Sequence, residues 1–176
     1  MIDHNRAEAL GTAVELVHFA YRAMVAKPDK VLASRGLTRV HHRILYFVAR
    51  LPGCSVNTLL RTLGVSKQAV NAPLRELYRQ GFITFARSPL DGRVKCLQLT
   101  AAGKRLEMRL STLQHAQFAA AFAAAGPHAE AGWRAAMHAL ALPELARSGR
   151  VLPGFPSARL VERPRKASRV ATSVGR

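Results

Sequence analysis

The feature that most constrains the fold is a change of hydrophobic periodicity at Gly81. Before it, the stretch "SKQAVNAPLRELYRQGF" (residues 66–82) carries apolar side chains at the three- and four-residue steps of a helix. After it, apolar and polar residues alternate in "FITFAR" and again in "RVKCLQL", as in half-buried strands. The residues "SPLDG" between the two runs favour a turn. The sequence therefore predicts a helix followed directly by a two-stranded hairpin.

Helical stripes also precede and follow this segment. Pro28 is expected to end the first helix, and Gly64 is expected to turn the chain sharply between the third and fourth. Helix, short helix, tight turn, helix and hairpin is the order of a winged helix-turn-helix. The predicted fold is therefore mainly α with a small β-hairpin wing. The helical stripes are residues 7–25, 38–51, 55–63, 67–80, 100–125 and 128–142.

The formal net charge of +17 and the pI near 11.5 indicate a polyanionic partner, either nucleic acid or an anionic membrane. The longest stretch without a charged residue, 110–129, is mostly alanine and contains several polar residues, so a transmembrane helix is not expected. The first ten residues, "MIDHNRAEAL", have no apolar signal-peptide core. We therefore expect a cytoplasmic protein with no membrane partner, in which both cysteines are free thiols.

The helix of residues 67–80 has the side chains of a DNA reader. Val70, Leu74 and Leu77 fall on one face and are expected to pack inward. On the other face, amide side chains suit adenine edges, arginine suits guanine, and a lysine near the helix start suits phosphate. Residues 35–109 contain fourteen Lys or Arg against three acids. The residues expected to contact DNA are Ser66, Lys67, Gln68, Asn71, Arg75 and Arg79.

Pro73 lies inside this helix, where it removes the hydrogen bond to the carbonyl of Ala69. Two interpretations stand. The proline bends the helix so that Gln68 and Asn71 follow the groove, or it is tolerated on a wet face and has no part in recognition.

Residues 37–106 resemble the MarR family of bacterial transcription regulators over most of its DNA-binding region. The similar segments are "GLT" before the second helix, "LLRTLGVSKQAV" at the turn, "LDGR" in the hairpin and "LTAAGKRL" in the next helix. The resemblance implies a double-stranded DNA operator as partner and no enzymatic activity. The residues agree with this: no spaced acid pair, nucleophile motif or phosphate-binding glycine loop is present, and no cofactor is expected.

The resemblance also assigns roles in the hairpin. It implies that Arg93 enters the minor groove and that Asp91 helps to hold the loop. Gly92 stands where a basic residue is usual, and Arg87 and Lys95 are expected to compensate with phosphate contacts.

The flanking helices are implied to interlock with those of a second copy, giving a homodimer on a pseudo-palindromic operator. The alternative, an intramolecular core, stays open at this stage. After Ser148, seven Lys or Arg and one acid indicate a flexible basic tail that either grips DNA or has no specific partner. The predicted regions are an N-terminal dimerisation helix with connector (1–34), the winged helix-turn-helix (35–100), C-terminal dimerisation helices (101–148) and the tail (149–176).

Such dimers commonly bind small aromatic acids or phenols near the junction with the DNA-binding region. "RVHHRILYF" is similar to regulators of aromatic-acid breakdown, including that of hydroxylated nicotinate. Aromatic and cationic residues three or four apart suit a flat ring bearing a carboxylate. The residues expected to bind this effector are His18, Tyr21, Arg22, His42, Arg43 and Tyr46.

The sequence therefore predicts a homodimeric repressor released by a small aromatic ligand. One alternative is a nucleoid-type protein that binds DNA without sequence preference. Another is a metal- or redox-sensing regulator of the same fold. Adjacent His41 and His42 project about 100° apart on a helix, which is poor for a shared zinc ion. Cys54 precedes a helix start, where its thiol pKa is expected to fall, and Cys96 is expected to be partly exposed.

Overall fold

The computed structural model describes residues 4–87 and 95–155. That part of the chain contains six helices and one antiparallel pair of strands, which confirms a mainly helical fold with a small hairpin. The elements are α1 (His4–Ala33), α2 (Arg39–Arg50), α3 (Val56–Leu63), α4 (Lys67–Arg79), β1 (Ile83–Arg87), β2 (Lys95–Leu99), α5 (Ala101–Ala125) and α6 (Pro127–Ser148).

The first helix does not end at Pro28, contrary to prediction. It continues to Ala33, and Pro28 lies buried beside Val25 and Leu32 on the same face. Tertiary packing of this face sustains the helix although the proline lacks a backbone donor. The last helix likewise runs beyond residue 142, through Pro143, to a C-terminal cap at Gly149.

The helix-turn-helix is held by local caps. Ser55 accepts from the amide of Thr58 at 3.1 Å at the start of α3, and Ser66 accepts from the amide of Ala69 at 3.4 Å at the start of α4. Gly64 closes α3 in the left-handed region, with φ at 64°, a conformation that strongly favours glycine. The turn between α3 and α4 therefore lies at Gly64, as the sequence predicted, and Ser66 caps the helix that follows it.

The hairpin pairs Ile83 with Leu99 and Phe85 with Leu97, so the alternation read from the sequence is confirmed. Helix α5 then crosses close to the base of β1. A Cβ atom on Gly103 would lie 1.9 Å from the main-chain oxygen of Phe82, so only glycine fits there without movement.

One hydrophobic core joins the middle helices, the hairpin, the end of α1 and the first half of α5; we call this region the DNA lobe. Its fourteen buried members include side chains from every one of those elements. They are Leu32, Leu37, Ile44, Leu45, Val48, Leu59, Leu63, Val70, Leu74, Leu77, Ile83, Leu97, Leu106 and Leu110.

Candidate nucleic-acid interface and ligand cavity

Helix α4 separates a buried face from an open polar face. Val70, Leu74 and Leu77 are buried in the core, as predicted. The side chains expected to read DNA are all exposed, and the N-cap at Ser66 leaves the start of the helix accessible. A capped helix with free amides and a polar face at its N-terminal end can enter a major groove. The exposed residues are Ser66, Lys67, Gln68, Asn71, Arg75 and Arg79.

Arg79 differs from its neighbours because it is bound within its own helix. Its guanidinium donates to the carboxylate of Glu76 at 2.6 and 3.0 Å, and Gln80 donates to the same carboxylate at 2.6 Å. The hydrogen bond from Arg79 lowers the pKa of Glu76 to about 2. Arg75, in contrast, has no acidic partner among the residues that the structure describes. Of these two arginines, Arg75 is the freer to approach a base.

The hairpin brings two cations together. Arg87 and Lys95 are directly opposite each other in the strand register, and both are exposed. Like charges at opposed positions repel, and a phosphate between them would relieve that repulsion. The predicted hairpin contacts Asp91 and Arg93 lie outside the described residues.

A cavity of about 280 Å³ opens where α1, α2 and α5 meet. It gathers four of the six residues predicted to bind an effector, from two different helices. His18 and Arg22 do not line it, and both side chains are exposed on α1. The lining residues are Tyr21, Met24, Val25, Arg39, His42, Arg43, Tyr46, Phe47, Gln114, His115 and Phe118.

The remaining lining residues were not found from the sequence. Phe47 directly follows Tyr46 in the same helix, so the prediction of Tyr46 as an effector-binding residue came within one residue of it. Gln114, His115 and Phe118 come from α5, about seventy residues further along the chain, and their approach depends on long-range packing. Arg39 approaches Tyr21 with its guanidinium carbon 5.5 Å from the ring centroid, a contact between helices that no local spacing reveals.

His42 is the most distinctive group in the cavity. Its side chain is 7% exposed, and its Nε2 atom is buried without a hydrogen-bond partner among the described residues. Burial lowers the pKa of His42, with a smaller opposing effect from Glu107. A neutral imidazole with an unpartnered nitrogen can accept or donate one hydrogen bond to a bound molecule.

The two cations in the cavity are held differently. Arg39 donates to Asp29 at 2.8 Å, which ties α2 to α1. Arg43 donates from Nη2 to the main-chain oxygen of Leu63 at 3.0 Å, which ties α2 to the end of α3. Tyr46 lies beneath Arg50, whose guanidinium carbon is 3.4 Å from the ring centroid and which also pairs with Glu107. An ion pair, a hydrogen bond and a stacking contact therefore hold three of the lining residues, Arg39, Arg43 and Tyr46.

The histidines and cysteines considered above for metal or redox sensing are placed in the structure as follows. Nδ1 of His41 accepts from the amide of Thr38 at 3.0 Å, and burial lowers the pKa of His41. Within residues 4–87 and 95–155, no three His, Cys, Asp or Glu side chains lie close enough together to hold a metal ion. The pKa of Cys54 is raised by burial, opposite to the expectation. Cys96 is buried rather than partly exposed, and the chain at Ser55 pairs with it in an isolated antiparallel bridge.

The flanking helices leave large apolar side chains uncovered. No residue of α1 before Val25 is buried, and no residue of α6 is buried. No helix in the described ranges is long and apolar enough to cross a membrane. The exposed apolar side chains of these two helices include Leu10, Val14, Leu16, Val17, Phe19, Tyr21, Trp133 and Leu140.

Comparison with known proteins places this architecture in one family. The MarR family profile matches residues 35–94. The HTH-type transcriptional regulator PetP of Rhodobacter capsulatus is 39% identical over 145 residues, which are 82% of this chain and 87% of PetP. NadR in complex with 4-hydroxyphenylacetate superposes with a TM-score of 0.61 at 19% identity, covering 73% of this chain and 90% of NadR. The S. aureus MepR–DNA complex gives 0.55 at 19% identity, covering 72% and 96%. The chain belongs to the MarR family of winged helix-turn-helix transcription regulators, which bind DNA and are not enzymes.

Proposed function

We propose that this regulator is a homodimeric repressor that reads a pseudo-palindromic operator and is released by a small aromatic ligand. The observation that carries the proposal is the capped helix α4, with its apolar face in the core and its polar face in the open. In this arrangement Gln68, Asn71 and Arg75 are available for base edges, while Lys67, Arg87 and Lys95 serve phosphates.

The homodimer is supported by the uncovered flanks. Val14 on α1 and Leu140 on α6 are 72% and 68% exposed, and no residue of α1 before Val25 and none of α6 is buried. An open groove of about 540 Å³ runs between α5 and α6, with Phe118 and Phe122 in its wall. Contiguous apolar surface of this kind marks a protein–protein contact. A twofold dimer places two α4 helices about one DNA turn apart, which requires half-sites with that spacing.

The effector proposal is supported by the contents of the cavity. Tyr21, Tyr46 and Phe47 provide flat apolar walls for a ring, and His42 provides an unpartnered nitrogen. Arg39 and Arg43 provide positive charge for a carboxylate. NadR, which has the same fold, carries 4-hydroxyphenylacetate, a ring of this chemistry. A phenolic or aromatic carboxylate is therefore the proposed ligand class, and its binding between the flanking helices and the DNA lobe would change how the two α4 helices are presented.

The proposal is tested by titrating the promoter fragment upstream of the protein's own gene against a scrambled fragment at about 150 mM salt, where purely electrostatic binding is weak. A preference of about a thousandfold is expected for a specific regulator. Equal binding to both fragments that collapses with added salt would favour the nucleoid-type alternative, which the charge of +17 also suits.

Arg75→Ala tests the reader face in the same assay. We expect it to weaken operator binding by about 1–3 kcal/mol and to relax preference at one base pair. Arg105→Ala is the matched control, since it removes an equal charge from an exposed position on α5. Equal losses in the two variants would mean that Arg75 contributes charge and no base recognition. Arg93→Ala should weaken binding without changing the fold.

A further inference from the structure

Arg43 contacts both the ligand cavity and the end of helix α3. Its side chain lines the cavity beside His42 and Tyr46, and its Nη2 atom donates to the main-chain oxygen of Leu63, the last residue of α3, at 3.0 Å. The same side chain thus borders the cavity and is attached to the helix-turn-helix. Among the described residues it has no carboxylate partner, whereas Arg39 is held by Asp29.

The Leu63 carbonyl needs such a donor. The last carbonyls of a helix lack partners within the helix. At the end of α3, the amides of Gly64 and Val65 satisfy the oxygens of Leu60 and Arg61. No main-chain donor in the described residues reaches the oxygen of Leu63. Arg43 supplies the missing hydrogen bond, and its charge also complements the negative end of the helix.

The position of Leu63 matters for DNA reading because Ser66, the N-cap of α4, follows only three residues later. The core fixes one side of α4 through Val70 and Leu74, but the side chains at the entrance of the helix, including Lys67, are exposed. The direction in which α4 leaves the turn therefore depends on how firmly the end of α3 is held.

We infer that Arg43 is a positioning residue for α4, and that a carboxylate in the cavity draws its guanidinium away from Leu63 and loosens the turn at residues 64–66. A carboxylate adds the attraction of a full negative charge and can accept two parallel hydrogen bonds from a guanidinium, which a single neutral carbonyl cannot, so the exchange is favourable for Arg43. The inference rests on the effector cavity proposed above. It adds the step by which a bound effector changes the position of helix α4. A neutral ligand of the same shape lacks this effect.

The positioning role is tested by amide hydrogen exchange of the full chain without ligand. Arg43→Met keeps the apolar stem and removes every donor, and we expect exchange at Gly64 and Val65 to rise about tenfold or more. Arg43→Lys, which keeps the charge and a shorter donor, should give a smaller rise. Arg61→Gln is the matched control, because it removes a cation from the last turn of α3 without touching the Leu63 bond. Amides of α5 serve as the internal reference for folding.

The ligand step is tested with 4-hydroxyphenylacetate as the probe and the uncharged 4-hydroxyphenylacetamide as its control. Saturating acid should raise exchange at Gly64 and Val65 in the parent protein, and the amide should not. In Arg43→Met the acid should add nothing to exchange that is already fast.

The possible results separate the two proposals. Parent-like exchange at residues 64–66 in Arg43→Met overturns the role of Arg43, whether or not any ligand binds. Calorimetric binding of the acid to the parent with unchanged exchange overturns the ligand step. Absence of calorimetric binding of the acid counts against the effector class proposed above, while the exchange of Arg43→Met still decides the positioning role.

Discussion

The DNA lobe and the flanking helices both carry large apolar side chains, yet the two regions differ in how far those side chains are buried. The lobe buries Leu59, Leu77 and Leu97 completely. No residue of α1 before Val25 and no residue of α6 is buried, and Val14, Trp133 and Leu140 are exposed. Apolar periodicity therefore predicts which face of a helix needs a partner surface, but it does not identify that surface. In the lobe the chain supplies its own partner surface, and in the flanks a second copy is the proposed partner.

The largest effect that separates the two regions is expected from two glycine substitutions. Gly103→Ala forces a Cβ against the Phe82 carbonyl in the lobe and should lower the free energy of unfolding by about 3 kcal/mol. Gly132→Ala on α6 meets no atom within 4 Å and should raise helix stability by about 1 kcal/mol. Urea unfolding of both variants measures the difference. A loss of stability in Gly132→Ala would sharpen the comparison, because it would mean that the partner packs against that position.

The next effect concerns association. Val14→Glu places a charge on the exposed apolar face of α1 and should raise the dimer dissociation constant about 100-fold, since buried charges at interface centres are strongly unfavourable. The control is Met108→Glu, because Met108 is also an exposed apolar residue but lies in the first half of α5, within the DNA lobe. This change should leave the dimer dissociation constant unchanged. Sedimentation equilibrium gives both constants. Identical association of the parent and Val14→Glu would remove α1 from the proposed interface.

A smaller effect is expected from pH, and it belongs to the lobe. Burial lowers the pKa of His41 and His42 below the ordinary value of 6.5, so the unfolded chain binds more protons in this range. Stability should therefore be complete above pH 6.5 and fall as the pH drops toward the lower folded-state values. The carboxyl of Glu76 titrates in a separate window, between 4.5 and about 2.

Urea midpoints of the parent at pH 7.5 and pH 5.5, compared with those of His41→Gln and His42→Gln, measure this dependence. Each variant should show a flatter profile than the parent. His41→Gln should also be less stable at pH 7.5, because neutral Nδ1 accepts from the amide of Thr38. Parallel profiles in all three proteins would exclude these two groups as the source.

The sequence predicted the order of elements, the turn at Gly64, the alternation in the two strands and the open face of α4. Each of these depends on residues near one another in the chain. It failed at Pro28, where long-range packing overrides a local helix breaker, and at Cys96, which is buried where the chain at Ser55 pairs with it. The cavity was predicted in part: Tyr21, His42, Arg43 and Tyr46 follow from helical spacing, whereas Arg39, Phe47 and the α5 wall do not.

The smallest expected effect on operator affinity comes from replacing Pro73, and α4 continues through this proline without a break. Replacing it by alanine restores a donor for the carbonyl of Ala69 and should stabilise the lobe by about 1 kcal/mol. If the proline sets the curvature of the reader, the same change moves Gln68 and Asn71 relative to the groove, and operator affinity should fall about threefold, equivalent to about 0.7 kcal/mol. A proline that is merely tolerated on a wet helix face would give, on replacement, a more stable protein with undiminished affinity. Measuring unfolding and operator binding on the same variant therefore distinguishes that case from a proline used in recognition.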